Sequence, residues 1–174
     1  EKINDLVAFG DKVLGKTVVV CNDSPGFLGN RVGVYAMQVA MTEAFNLGLS
    51  VEEADAVFGR PLGIPKTGIF GLYDLIGIDL MADVLKSFIK ELPDSDPFHD
   101  VGKELPIINQ LIKDGYTGRK GKGGFFRMNK SSGAKVLESL NYKNNTYNES
   151  KKVDLQLPDV MDIAKVLSRK DVYG

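Results

Sequence analysis

Cys21-Asn22-Asp23-Ser24-Pro25-Gly26-Phe27-Leu28-Gly29-Asn30-Arg31 marks the point where the chain passes from a β-branched run, Thr17-Val18-Val19-Val20, into long helical periodicity. Ser24 suits an N-cap, Pro25 suits the first helical position where no backbone donor is needed, and Asp23 complements the positive end of a helix dipole. The spacing predicts a helix from about Pro25 to about Asn46, stopped by Gly48. On such a helix Gly26, Asn30, Gly33, Met37 and Met41 share one face. Asn is a weak helix former whose amide carries two donors and an acceptor. On this small, apolar stripe the amide bonds either to protein, in the core or at a subunit contact, or to a ligand that the glycines allow to come close.

Upstream, Ile3, Leu6, Val7, Phe9, Val13 and Leu14 recur at three- and four-residue spacing, which predicts an amphipathic helix over residues 2–14, ended by Gly15. Thr17 to Cys21 reads as a strand covered on both faces, with its partners outside the sequence or much further along it. Downstream, Ser50-Val51-Glu52-Glu53 is a capping box that starts a short helix ending near Gly59. Gly59 to Pro65 reads as a loop, and helical spacing returns from Thr67 to Leu92, in one helix or in two joined near Gly77-Ile78-Asp79. Pro93 to Asp100 reads as a loop and Leu105 to Ile112 as a further helix. After Gly115 the character changes to a basic glycine loop, Gly118 to Gly124, and a hairpin pattern over Phe125–Met128 and Lys135–Leu140, with a turn at Asn144-Asn145. A polar linker and one amphipathic segment, Val160 to Leu167, follow. The expected fold is mainly α, with a short N-terminal strand and a small β-hairpin after the helices.

The 174 residues, 43% apolar and 26% charged, suffice to bury a core. Lys and Arg number 22 against 23 for Asp and Glu, so no bulk field recruits nucleic acid or an anionic membrane. One Cys and one His exclude an internal disulfide framework and a clustered soft-ligand metal site. No apolar run approaches the ~20 residues that cross a bilayer. Because the chain opens at Glu1 directly in helical pattern, its natural N-terminus is expected further upstream.

Candidate chemistry is sparse. Gly118-Arg119-Lys120-Gly121-Lys122-Gly123-Gly124 has the composition of a phosphate cradle but lacks the order of a P-loop and leads into a strand, so it reads first as a solvated turn. Arg119, Lys120 and Lys122 could still meet the phosphate of a large ligand. Asp74 and Asp79 lie five residues apart, about 140° around a helix, and read as caps or ion-pair partners at a bend rather than as a convergent acid–base pair. His99 reads as a surface residue and Cys21 as a core residue. No full catalytic set is present.

Taken together, Asp23-Ser24-Pro25-Gly26-Phe27 with Asn30-Arg31, then Gly68, Phe70, Leu72, Asp74, Gly77 and Asp79, then Gly118-Arg119-Lys120 leading to Phe125, resemble the C-terminal helical domain of the L-3-hydroxyacyl-CoA dehydrogenases of fatty-acid β-oxidation. Order and spacing agree over residues 16–127. The chain departs from the pattern at Ile69, where the family usually has Pro, at a short insertion within Leu62–Thr67, at Phe126 in place of Tyr, and at an added glycine in Gly123-Gly124. Its tail is more similar to bacterial multidomain members that continue into an enoyl-CoA hydratase region.

The resemblance implies oxidation of L-3-hydroxyacyl-CoA to 3-oxoacyl-CoA with NAD. It also implies a Rossmann domain that binds NAD at a glycine turn and supplies a His-Glu base, neither of which this sequence contains. Residues 1–22 then correspond to the last helix and strand of that domain, 23–127 to the helical domain, and 128–174 to a hairpin and linker toward a following domain. Asn30 matches the family's catalytic Asn, entering the cleft from the helical side to hydrogen-bond near the reacting oxygen or the histidine. The helical block would wall the acyl-CoA cleft and form a homodimer contact, Arg119, Lys120 and Lys122 would touch the substrate, and the chain alone would bind no cofactor and be inactive. The implied location is the bacterial cytoplasm, or the mitochondrial matrix in a eukaryote. Two rivals remain: a helical oligomerisation scaffold without chemistry, and the helical domain of a related β-hydroxyacid dehydrogenase.

Overall fold

The computed structural model describes residues 2–131 and 133–155. Its first helix, α1 (Lys2–Lys12), stops before Gly15, which turns the chain at φ +61°. The periodicity is as expected, yet Ile3, Leu6, Phe9, Val13 and Leu14 all remain exposed, and only Gly10 is buried, under Val18. Thr17 to Cys21 pairs with no strand among the described residues. A lone apolar run has no ladder to join, so Val18, Val19 and Val20 stay exposed, and Cys21 lies on the surface rather than in the core.

The long helix α2 (Gly29–Asn46) starts four residues later than its sequence signals predict. Gly26 and Phe27 both take left-handed conformations, φ +75° and +49°, which a right-handed helix cannot include. Residues 25–28 instead form a tight turn in which Phe27 N–H donates to the Ser24 carbonyl at 3.0 Å, and among the described residues the Ser24 side chain caps no helix. From there α2 buries Val34, Met37, Gln38, Ala40, Met41 and Ala44. Asn30 and Gly33, on the face shared with Met37 and Met41, are exposed because no described element covers that end of the stripe.

Helix α3 (Val51–Val57) begins at the expected capping box, in which Ser50 Oγ accepts from Glu53 N–H at 3.2 Å and the Glu53 carboxylate accepts from Ser50 N–H at 2.7 Å. The following loop holds one 3₁₀ turn, Arg60–Leu62. The apolar stretch beyond it divides into α4 (Phe70–Ile76) and α5 (Ile78–Glu91), broken at Gly77, whose φ of +117° admits glycine alone. A short helix, α6 (Phe98–Val101), occupies part of the expected loop, since Phe98 is drawn into the core edge-on against Phe88 at 5.2 Å. Helix α7 (Pro106–Lys113) closes the block.

Where a hairpin was expected there is a three-stranded antiparallel meander, β1 (Phe126–Asn129), β2 (Val136–Asn141) and β3 (Thr146–Glu149). The turn at Asn144-Asn145, with Asn145 at φ +56°, returns the chain so that Tyr147 faces Leu140. The sheet is seated on the helices rather than hanging from them. Ser139 Oγ donates to Glu52, Tyr142 OH donates to the Leu49 carbonyl at 2.8 Å, and buried Phe125 packs against Phe70 at 4.6 Å. Val160 to Leu167 lies outside the described residues. Among the described residues no helix is long and apolar enough to cross a membrane.

Candidate functional site

The first turn of α2 is fixed on both sides of Asn30. Gly26 lies so close to Phe88 that a Cβ there would stand 2.3 Å from the ring, which only glycine avoids. On the other side the Arg31 guanidinium donates to Asp96 Oδ2 at 2.6 Å and lies 6.0 Å from the Phe88 centroid. Asp96 Oδ1 in turn accepts from Phe98 N–H at 2.9 Å, and that bond, with the one from Arg31, holds the Asp96 carboxyl below its ordinary pKa. Between these anchors Asn30 is exposed, and among the described residues its carboxamide makes no side-chain hydrogen bond. It is flanked by exposed apolar side chains, Phe27, Leu28 and Val32. The arrangement presents a donor–acceptor group from an anchored turn on an apolar surface, which can orient a polar atom of a ligand without first giving up a partner among the described residues.

The basic loop is built differently. Gly118 N–H donates to the Gly123 carbonyl at 2.8 Å, and Arg119 N–H donates to the Asp74 carbonyl at 2.8 Å, so the loop is strapped to the end of α4. The Asp74 carboxylate is buried and accepts from the Phe125 and Phe126 N–H groups at 2.8 and 2.7 Å. It neither caps its own helix nor forms the ion pair expected from the sequence. It ties α4 to β1, and burial pushes its carboxyl up to about 6 against those two hydrogen bonds and the nearby charge of Arg119. Asp79 is exposed and accepts from Leu80 N–H beside the bend.

Lys122 Nζ donates to the Asp114 carbonyl at 3.3 Å, at the C-terminus of α7 where a cation opposes the helix dipole. Arg119 and Lys120 are exposed and make no side-chain hydrogen bond among the described residues. No side-chain contact among the described residues joins this loop to Asn30. One cavity, lined by Gln38, Tyr73, Lys86 and Ile108, and another of about 270 Å³, lined by Leu111, Tyr116, Arg127, Leu140 and Tyr147, include neither. The described residues do not fit a dinucleotide, since their one sheet is an antiparallel meander with no strand–turn–helix unit. His99 is half-buried, with Nε2 3.0 Å from the Pro93 carbonyl.

Two polar groups escaped sequence reading. Asp55, one acid among several on α3, reaches across to accept from Phe70 and Gly71 N–H at 2.7 and 2.9 Å, capping α4 in place of a local side chain. Burial pushes its carboxyl up to about 6 as well. Gln38, within an apolar helix, donates to Tyr73 OH at 2.8 Å. Asp55 had no distinguishing spacing, whereas Gln38, a polar residue on the Met37–Met41 face, carried a signal.

The two raised carboxyls fix a direction of pH dependence. Their folded-state values near 6 exceed the unfolded value of about 4, so the folded state takes up protons first as pH falls, and the stability this contributes is lost as pH rises through about 6. The lowered Asp96 and Glu138 carboxyls act oppositely, but only below the ordinary carboxylate range. Denaturant unfolding at pH 5 is expected to show a higher midpoint than at pH 7; a lower one at pH 5 would contradict the assignment.

Comparison with known proteins gives the following. The family described as 3-hydroxyacyl-CoA dehydrogenase, C-terminal domain, matches residues 26–128. A Rickettsia prowazekii protein under the name fatty acid oxidation complex trifunctional enzyme is 39% identical over 174 residues, which is 100% of this chain and 24% of that protein. A Bacillus subtilis protein under the name 3-hydroxyacyl-CoA dehydrogenase is 32% identical over 85% of this chain and 18% of its own length. Among solved structures, (S)-3-hydroxybutyryl-CoA dehydrogenase PaaH1 from Ralstonia eutropha superposes with a TM-score of 0.58 at 27% identity, covering 71% of this chain and 42% of that one. The chain thus spans about a quarter, or less, of the length of these curated relatives.

Proposed function

The chain belongs to the family of 3-hydroxyacyl-CoA dehydrogenase C-terminal domains, and from that premise we propose that it forms the helical half of an enzyme that oxidises L-3-hydroxyacyl-CoA to 3-oxoacyl-CoA in fatty-acid oxidation. NAD and the catalytic base belong, on this reading, to a Rossmann domain that closes against the first turn of α2. The observation that carries it is Asn30: exposed, without a side-chain partner among the described residues, and held between Gly26 and Arg31. Its carboxamide hydrogen-bonds near the reacting oxygen and fixes the substrate relative to the base. The apolar surface of Phe27, Leu28 and Val32 lies against the acyl portion or the facing domain. Arg119, Lys120 and Lys122 supply positive charge for the CoA phosphates, Arg119 and Lys120 making no side-chain hydrogen bond among the described residues and Lys122 being already engaged. The helical block also carries a homodimer contact, and the protein works in the bacterial cytoplasm.

Residues 1–22 belong, on the same reading, to the edge of the Rossmann domain, 23–127 to the helical domain, and 128–174 to the connection with a following one. The isolated chain is expected to be silent in NADH formation from L-3-hydroxybutyryl-CoA, and the full-length protein active. NADH production by the isolated chain would refute this division of labour. A full-length protein that is inactive yet oligomeric would favour the scaffold reading.

A further inference from the structure

Asp96 lies within the residues that match the family but between the three motifs that carry the resemblance, in a segment the sequence assigns to a loop. We propose that Asp96 is a positioning residue for Asn30, acting through Arg31 to fix the place of the helix turn that carries it. The inference rests on the reading of Asn30 given above. Arg31 is the next residue after Asn30, and its charge-assisted bond to Asp96, 2.6 Å long, is partly shielded, with the two side chains 27% and 15% exposed. Asp96 is itself held by Phe98 N–H, Phe98 packs edge-on against Phe88, and Phe88 lies under Gly26. These contacts close a circuit that leaves α2 just after Asn30 and returns to the chain four residues before it.

The first turn of α2 has no side-chain N-cap, and the Asn30 side chain makes no hydrogen bond among the described residues. Without Asp96 the Arg31 side chain loses its one side-chain hydrogen bond among the described residues, and only the approach of Arg31 and Gly26 to Phe88 still ties this turn to α5.

A double-mutant cycle in the full-length protein tests this, with Asp96→Ala, Asn30→Ala and the pair assayed for kcat and KM. Asp96→Ala is expected to lower kcat roughly 10-fold, less than the ~10²-fold that full misplacement of a reacting group can cost, with KM little changed. In the Asn30→Ala background the same substitution is expected to lower kcat no further. A purely structural role would instead appear as a lower melting temperature with unchanged kcat among folded molecules, and an effect on kcat independent of Asn30 would multiply the two losses. If Asp96→Ala does not fold, Asp96→Asn, which keeps an acceptor for Phe98 N–H, carries the same cycle, and Asp96→Glu is expected to recover part of the rate. Unchanged kcat in the Asp96 variants, or multiplied losses, overturns the Asp96 inference while leaving Asn30 in place. An Asn30→Ala protein with full kcat overturns both.

Discussion

Asn30→Ala in the full-length protein is expected to lower kcat by about 10²-fold while leaving stability almost unchanged. The kinetic part follows from the role proposed for the carboxamide: a group that orients substrate and base for proton transfer contributes about 10²- to 10⁴-fold, and this one stabilises a position without itself exchanging a proton, which places it at the low end. The thermodynamic part follows from its setting. Asn30 is exposed, has no side-chain partner among the described residues, and stands in the first turn of α2. Exposed substitutions away from caps and special backbone positions stay within about 0.5 kcal/mol, and alanine is the better helix former. Parallel measurement of kcat and of the denaturation midpoint separates the two. Equal losses of activity and stability would assign Asn30 to structure instead.

The largest effect on stability is expected at Asp74. Its carboxylate is the partner of two backbone donors, Phe125 N–H and Phe126 N–H, at a site where Phe125 is fully buried and Gly124 passes so closely that a Cβ there would meet Asp74 Oδ1. Asp74→Ala leaves both donors without an acceptor, at about 1–3 kcal/mol each, offset in part because a buried carboxylate no longer has to be desolvated. The net expectation is a loss of about 3 kcal/mol, a large fraction of the 5–15 kcal/mol that holds a typical domain together. Asp74→Asn is expected to be nearly as harmful, since its NH₂ group faces one of the two donors. Urea unfolding of the three proteins measures this directly, and a loss below about 1 kcal/mol in Asp74→Ala would mean that water replaces the carboxylate.

The helices were legible because their boundaries are local events. The capping box at Ser50, the break at Gly77 and the stop before Gly115 depend on residues within a turn or two. The start of α2 was misread for an instructive reason: Ser24-Pro25 carries every local signal of a helix start, but the close seat of Gly26 on Phe88, a residue far along the chain, holds the backbone left-handed there. The small α6 and the third strand were missed because Phe98 is pulled inward by Phe88 and Thr146–Glu149 by pairing with β2, neither of which shows in the composition of those segments. In the same way Asn30 could be picked out by its type and place, whereas its exposure could not. A periodicity says which side chains share a face and nothing about how far the covering elements extend.

The tie between Asp74 and β1 also sets an order of events while the chain is being made. The carboxylate precedes its first backbone donor by 51 residues, so α4 and α5 leave the ribosome well before the groups that satisfy it. Until Phe125 arrives, closing the helical block would bury a charge without partners, which favours holding that face open to water. The helices can form as they emerge, but their final packing waits on the strand made after them, and a nascent chain halted before residue 125 would remain loosely closed at the joint between α4 and β1.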